Sequence, residues 1–255
     1  MAKKINSSDV VLELTNDSLK SLINKLDDLT DINEKLVFKF DKTNLLIYSF
    51  VEKGKDIHTF KSYILNMEDV FTKVGEISNT LKFISPDSKK LMKSLEIFLS
   101  FDEKVLIKLS YNEDNFVEKM AIKNSKMKLD FIGGLPSTVK QDVNIEQIKT
   151  IMDTSKASFD VKLYETDFDK IKKMSSIEKD NEIYYLTVRD NKVYMGENKW
   201  NLNIGDVEYM NESISFPKKY FNTINFDDEY TTLYVFDRFV MTVGKESNIM
   251  ISVEI

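Results

Sequence analysis

Cysteine is absent from this 255-residue chain, histidine and tryptophan occur once each, and arginine occurs twice, at Arg189 and Arg238. Without cysteine there are no disulfides and no thiolate chemistry, which fits a reducing compartment. The single histidine, His58, stands beside Lys55 and Asp56 in a strand-like run and reads as an exposed strand residue, not a general base. No Ser-His-Asp set, His-Glu-x-x-His pair or Cys cluster is present, so neither catalysis nor a cofactor nor a metal centre is expected. Acidic pairs such as Asp27-Asp28 and Asp227-Asp228 read as solvated turns and helix ends, with metal binding there left open. No stretch approaches the roughly 18 to 20 apolar residues that span a bilayer. The start, Met1-Ala2-Lys3-Lys4, has no apolar run of the signal-peptide kind, so the expected location is the cytoplasm, or the host cytoplasm if the source is viral. The scarcity of arginine against lysine reads as codon bias of an AT-rich genome.

Apolar residues make up 42% of the chain and charged residues 31%, a folded composition large enough for two domains. An order of elements occurs twice. Leu12-Glu13-Leu14 alternates like a strand and is followed by a helical face of Leu19, Leu22, Ile23 and Leu26. Val161-Lys162-Leu163 is followed in the same way by Phe168, Ile171 and Met174. Alternating strands then run around Asp41-Lys42-Thr43-Asn44 and around Asp190-Asn191-Lys192, and each unit closes on strands with Phe-Asp at a turn, Phe101-Asp102 and Phe236-Asp237. A duplication of this kind fixes architecture before residue chemistry. In the first unit a helix is expected over 17–29, capped by Thr15 or Asn16, and another over 87–95 opened by Ser85-Pro86-Asp87, then a strand over 96–101. In the second, Thr166-x-x-Asp169 resembles a capping box. Two of the seven glycines and one of the three prolines fall in Gly133-Gly134-Leu135-Pro136, the strongest punctuation in the chain. The expected class is therefore α+β, two repeated domains of antiparallel sheets with two helices each: residues 1–132, a connector over 133–155 with a helical turn at 145–151, and residues 156–255.

The formal net charge is −6, which opposes non-specific adhesion to nucleic acid by the whole surface. Lysines nevertheless gather on the four expected helices: Lys20 and Lys25, then Lys89, Lys90 and Lys93, then Lys170, Lys172 and Lys173, then Lys218 and Lys219. Each set alone is an ordinary solvated face. If the four helices share one side of the sheets, the sets make one basic surface on an acidic body, able to hold phosphates loosely, without base readout and with strong salt dependence; plain solvated faces stay open as the other reading.

The order strand, helix, strands, helix, closing strands, repeated after a long connector, resembles that of DNA sliding clamps of the two-domain kind, proliferating cell nuclear antigen and the clamp of T-even bacteriophages. Local echoes are Gly134-Leu135-Pro136-Ser137-Thr138-Val139 and the run Thr232-Leu233-Tyr234-Val235-Phe236-Asp237-Arg238. The resemblance implies a homotrimeric ring around double-stranded DNA, a polymerase processivity factor whose helix lysines face the phosphates, with a DNA polymerase and a clamp loader as partners. It implies a subunit junction pairing Met120, Ala121 and Ile122 with Trp200, Leu202 and Ile204 of a neighbour. It also implies a partner-peptide pocket formed by Leu135, Pro136 and Val139 with Ile251, Val253 and Ile255, although the last three also fit a plain core strand. The layout leans toward a bacteriophage source. A structural β-rich repeat of the tail or baseplate type stays open as the alternative, and after it an enzyme whose site rests on carboxylates alone.

Overall fold

A computed structural model describes residues 8–54, 56–139, 142–177 and 181–253. The chain divides into two compact units, Met1–Ser49 with Ser62–Ile145, and Phe50–Lys61 with Glu146–Ile255. The hairpin at 50–61 thus belongs with the second unit although unit 1 surrounds it in sequence.

In unit 1, β1 (Ser8–Leu14) leads into α1 (Asn16–Thr30). Thr15 caps α1, its side-chain oxygen accepting from Ser18 N, and Asp17 complements the positive end of the helix. Leu19, Leu22, Ile23, Leu26 and Leu29 form the buried stripe. Strands β2 (Leu36–Phe40) and β3 (Asn44–Lys53) join through a turn in which Asp41 Oδ1 accepts from the backbone N–H groups of Thr43 and Asn44. β4 (Asp56–Asn66) follows, then a one-turn helix α2 (Met67–Val70) and the short β5 (Lys73–Val74), which pairs with β1. β6 (Leu81–Ser85) precedes α3 (Ser88–Leu99), capped by the Asp87 carboxylate accepting from Lys90 N. β7 (Val105–Tyr111), β8 (Val117–Lys123) and β9 (Lys128–Ile132) complete one sheet in the order β5-β1-β7-β8-β9. A second set runs β3-β2-β6. The core between them takes Leu22 and Leu26 from α1, Leu91, Leu95 and Phe98 from α3, and Phe38, Ile107 and Ile122 from the strands.

The expected strand over 96–101 is instead the last turns of α3. Leu91, Leu95 and Phe98 continue the helical spacing, and Phe98 is fully buried. Packing against α1 overrides the local alternation of Glu96-Ile97-Phe98-Leu99. Phe101-Asp102 accordingly forms the turn from α3 into β7, with Asp102 at φ 49° and its carboxylate accepting from Asn16 Nδ2 at 2.9 Å. It is not the counterpart of Phe236-Asp237, which does lie in a hairpin.

Unit 2 begins with α4 (Ile145–Ile151), on the expected residues, and a 3₁₀ turn at Thr154–Lys156. β10 (Phe159–Tyr164) passes directly into α5 (Glu165–Ser175). Thr166 lies inside the helix and the expected capping box does not form; Glu165 N donates to Glu229 O, which carries the strand register up to the helix start. β11 (Ile183–Arg189), β12 (Lys192–Glu197), β13 (Trp200–Asp206) and β14 (Glu212–Pro217) make a sheet in the order β13-β12-β11-β14. Asp190 and Asn191, both at positive φ, turn β11 into β12. α6 (Lys218–Phe221) leads to β15 (Tyr230–Val235), β16 (Phe239–Val243) and β17 (Ser247–Ser252), which with β10 form β10-β15-β16-β17, the last strand meeting the unit-2 part of β4. Phe168 of α5 and Phe221 of α6 pack with tilted rings, 5.7 Å between centroids, and Phe221 packs on Tyr184 and Phe216 of the sheet.

Candidate nucleic-acid interface

The amphipathic stripes that bury one face of α1, α3 and α5 leave the other to solvent, and most of the helix lysines are there. Lys20, Lys89, Lys90, Lys93, Lys170, Lys172, Lys173 and Lys219 are exposed. Some are engaged locally. Lys89 pairs with Glu34 at 2.8 Å, which raises its pKa, and Lys170 pairs with Asp167 at 2.8 Å. Lys172 lies over the Phe168 ring and Lys219 over the Tyr220 ring. Lys25 is half-buried, donating to Ser21 Oγ and lying over the Tyr63 ring. Among the described residues, Lys20, Lys90, Lys93 and Lys173 make no ion pair, so their ammonium groups are open to an external anion. The helices also carry exposed acids, Asp17 and Asp27 on α1 and Glu165 and Asp169 on α5; the basic excess is concentrated on α3 and α6.

Lys218 is a correction. Its ammonium group is turned inward, 2.8 Å from Glu197 Oε1, with side-chain exposures of 14% and 0%. It also donates to the carbonyls of Ser175 and Asn181 and lies over the Tyr184 ring. A charge so engaged holds α6 to the sheet and is withdrawn from any phosphate.

The expected free edge at Met120, Ala121 and Ile122 is a second correction. β8 has β7 on one side and β9 on the other, and all three residues are buried. The edge of that sheet is β9. Its Leu129 and Phe131 are only partly buried against the unit-1 core, and Ile132 is exposed on the opposite face. β13 is an edge strand, with Trp200 and Leu202 half-buried and Ile204 buried.

Of the expected peptide-pocket residues, Leu135 is 69% exposed and Pro136 is exposed, whereas Val139 is buried. Ile251 is corrected to a core residue of β17, Val253 is half-buried, and Ile255 lies outside the described residues. The start of the connector is strapped to unit 1. Gly133 N donates to Glu118 O and Gly134 N to Ile84 O. A Cβ at Gly133 would come within 2.4 Å of Val117 O, so only glycine allows that approach. Lys35 Nζ donates to Thr138 O at 3.0 Å.

The strap ends in an ion cluster that sequence reading missed. Asp142 lies 2.7 Å from Lys39 Nζ and 3.0 Å from Lys82 Nζ, the lysine side chains being 12% and 10% exposed. Burial works to raise the Asp142 pKa, but hydrogen bonds and charge from the two lysines outweigh it and hold the carboxyl below its ordinary value. Burial and the same carboxylate push the Tyr48 phenol well above its ordinary value. Lys39 and Lys82 are direct cross-strand partners in β2 and β6. Two like charges so placed require an anion. That signal becomes readable only once the register is known.

No protein-family model matches the chain, and no curated protein does. Solved structures match along nearly its whole length. Against PCNA from Thermococcus kodakaraensis the TM-score is 0.63 at 10% identity, covering 96% of this chain and 100% of that one. Against a putative DNA polymerase III beta subunit from Eubacterium rectale it is 0.69 at 15% identity, covering 100% of this chain and 67% of the other. The fold is that of a DNA sliding clamp. A third match, at TM-score 0.63 and 10% identity over 96% of this chain and 98% of the other, is PCNA of A. fulgidus bound to the C-terminal region of FEN-1. The chain spans the full length of an archaeal clamp chain and 64% of the Thermotoga maritima beta subunit. These matches favour the clamp architecture over a tail or baseplate repeat. Within the clamp fold, the lysine-bearing helices α1 and α3 pack together in unit 1, as α5 and α6 do in unit 2. Among the described residues no helix is long and apolar enough to cross a membrane.

Proposed function

We propose that this protein is a DNA sliding clamp, a non-catalytic processivity factor that encircles duplex DNA and tethers a DNA polymerase in the cytoplasm. The observation that carries the reading is the clamp fold over 96% of the chain and the whole of an archaeal clamp chain, combined with exposed lysines on helices of both units. Each chain supplies two clamp units, so three chains close a ring of six.

Ring closure uses the two edges. β9 of one copy pairs with β13 of the next, adding backbone hydrogen bonds and bringing Leu129 and Phe131 against Trp200 and Leu202. Head-to-tail pairing around a closed cycle leaves neither edge open. Lys20, Lys90, Lys93, Lys173 and Lys219 then face the phosphates at a distance. Loose, sequence-blind contacts hold DNA without a preferred register and so permit sliding. Leu135 and Pro136 are the surface positions offered to a partner peptide, and an ATP-driven loader opens the ring.

The test has two parts. Light scattering at micromolar concentration should give about 89 kDa, three times the 29.7 kDa chain. The loaded protein should then stay on a nicked circular duplex and run off when that duplex is linearised. A strict monomer that binds both DNA forms equally refutes the reading.

A further inference from the structure

We propose that the face of the β11–β14 sheet turned away from α5 and α6 carries a recess that takes a carboxylate side chain from an acidic segment of a partner protein. The inference stands on one chain's own sheet and does not need the ring.

The recess follows from strand register. Across the sheet, Gly196 of β12 lies between Tyr185 of β11 and Asn201 of β13. On this face Tyr185, Thr187, Tyr194, Asn201 and Ser213 line a recess of about 210 Å³. The glycine is fixed by the tight passage from β12 to β13. A Cβ there would lie 2.1 Å from Trp200 O and 2.6 Å from Asn201 Cα. One row along, Tyr194 faces Thr187, and Thr187 Oγ1 shares a 3.0 Å hydrogen bond with Ser213 Oγ. The hole is thus walled by two tyrosines and rimmed by hydroxyl and amide groups.

Its charge is of one sign. Arg189, one of only two arginines among 36 basic residues, places its guanidinium 5.3 Å over the Tyr194 ring. The cation–π contact holds the guanidinium at the tyrosine, and the planar N–H fork of an arginine is suited to take a carboxylate bidentately. The acid among the lining residues, Glu197, points through the other face of the sheet to Lys218, 2.8 Å away. Among the described residues lining the recess, no other carboxylate competes for Arg189, although the chain as a whole carries −6.

Size and charge select the occupant. Small-molecule sites usually enclose roughly 300 to 1,000 Å³. A recess of about 210 Å³ holds one aspartate or glutamate side chain with its backbone passing over the rim. Firm DNA binding needs several phosphate contacts, and this recess offers one cation. Tyrosine and arginine are also the residues that dominate protein–protein hot spots.

The experiment titrates the full-length chain into a fluorescein-labelled short peptide of alternating glutamate and leucine, read by anisotropy. The expected result is saturable binding that weakens about tenfold in Arg189→Gln, the loss of one charge-assisted contact. Binding should be retained in Lys192→Gln, which removes the same charge just outside the recess. Tyr194→Ala should weaken it by a similar factor. The proposal is overturned by equal losses in Arg189→Gln and Lys192→Gln, by equal binding of the glutamine version of the peptide, or by no saturation up to millimolar concentration. Arg189-dependent binding of a single-stranded oligonucleotide in preference to the peptide also overturns it. Arg189→Gln should leave solution mass and retention on circular DNA unchanged, so failure here is separable from failure of the clamp reading.

Discussion

Replacing Asp142 by Asn leaves Lys39 and Lys82 facing each other across β2 and β6 with no anion between them. Removing one partner of a buried ion pair costs about 3–5 kcal/mol. The lysines are close to that limit, but Asp142 is 56% exposed, and water screens the cluster from its side. Roughly halving the figure gives about 2 kcal/mol. Asp130 supplies an internal control. It also touches two lysines, Lys119 at 2.7 Å and Lys128 at 3.3 Å, but all three side chains are between 38% and 55% exposed. Asp130→Asn should therefore leave stability almost unchanged, since water screens that cluster from every side.

The assay is native-state hydrogen exchange read on peptides covering 128–145, where Gly134 N–H is bonded to Ile84 O. Two kcal/mol corresponds to about thirtyfold faster exchange in Asp142→Asn, against little change in Asp130→Asn. Adding Lys82→Met to Asp142→Asn removes one stranded charge and should recover part of the loss. The sign with pH follows from the depressed Asp142 pKa. A carboxyl whose folded pKa lies below its ordinary value of 3.8 stabilises the fold above that value and loses the contribution as pH falls through the folded pKa. The gap between the native chain and Asp142→Asn should be flat above about pH 5 and close in more acidic solution. Exchange in Asp142→Asn no faster than in Asp130→Asn refutes the reasoning.

Other substitutions separate the structural from the functional roles of neighbouring residues. Phe131→Asp, at the β9 edge, should convert the expected trimer to monomer in light scattering while the chain stays folded, whereas Met120→Ala should cost about 2–5 kcal/mol and keep assembly. Persistence of the trimer in Phe131→Asp would remove β9 from the junction. Reversal of Lys90, Lys93, Lys173 and Lys219 to Glu should shorten retention on nicked circles and flatten its salt dependence, with mass unchanged. Retention equal to the native chain's would discard the helix lysines as the DNA-facing set. Lys218→Ala should instead cost about 3–5 kcal/mol in urea unfolding followed by Trp200 fluorescence, because Glu197 is left charged and fully buried. A loss under about 1 kcal/mol would show that the pair is not what holds α6.

The amino-acid sequence alone determined many of the elements and the broad order in which they recur. Leucine spacing specified α1, Asp87 the start of α3, and Asp190-Asn191 the hairpin between β11 and β12, because periodicity, capping and turn chemistry act over a few residues. It also placed the exposed lysines, since a charged residue opposite an apolar stripe has one face to occupy. Tertiary structure decided everything that depends on what lies across a strand or beneath a helix. The last turns of α3 formed because Phe98 found a core to enter. Lys218 left the basic surface because Glu197 was buried within reach. β9, not β8, became the edge because five strands settled in one order, and Asp142 acquired its task only when register put Lys39 beside Lys82. Local rules can be read along the chain. Pairing partners and the sign of a buried field cannot, because they join residues far apart in sequence whose meeting is a property of the packed whole.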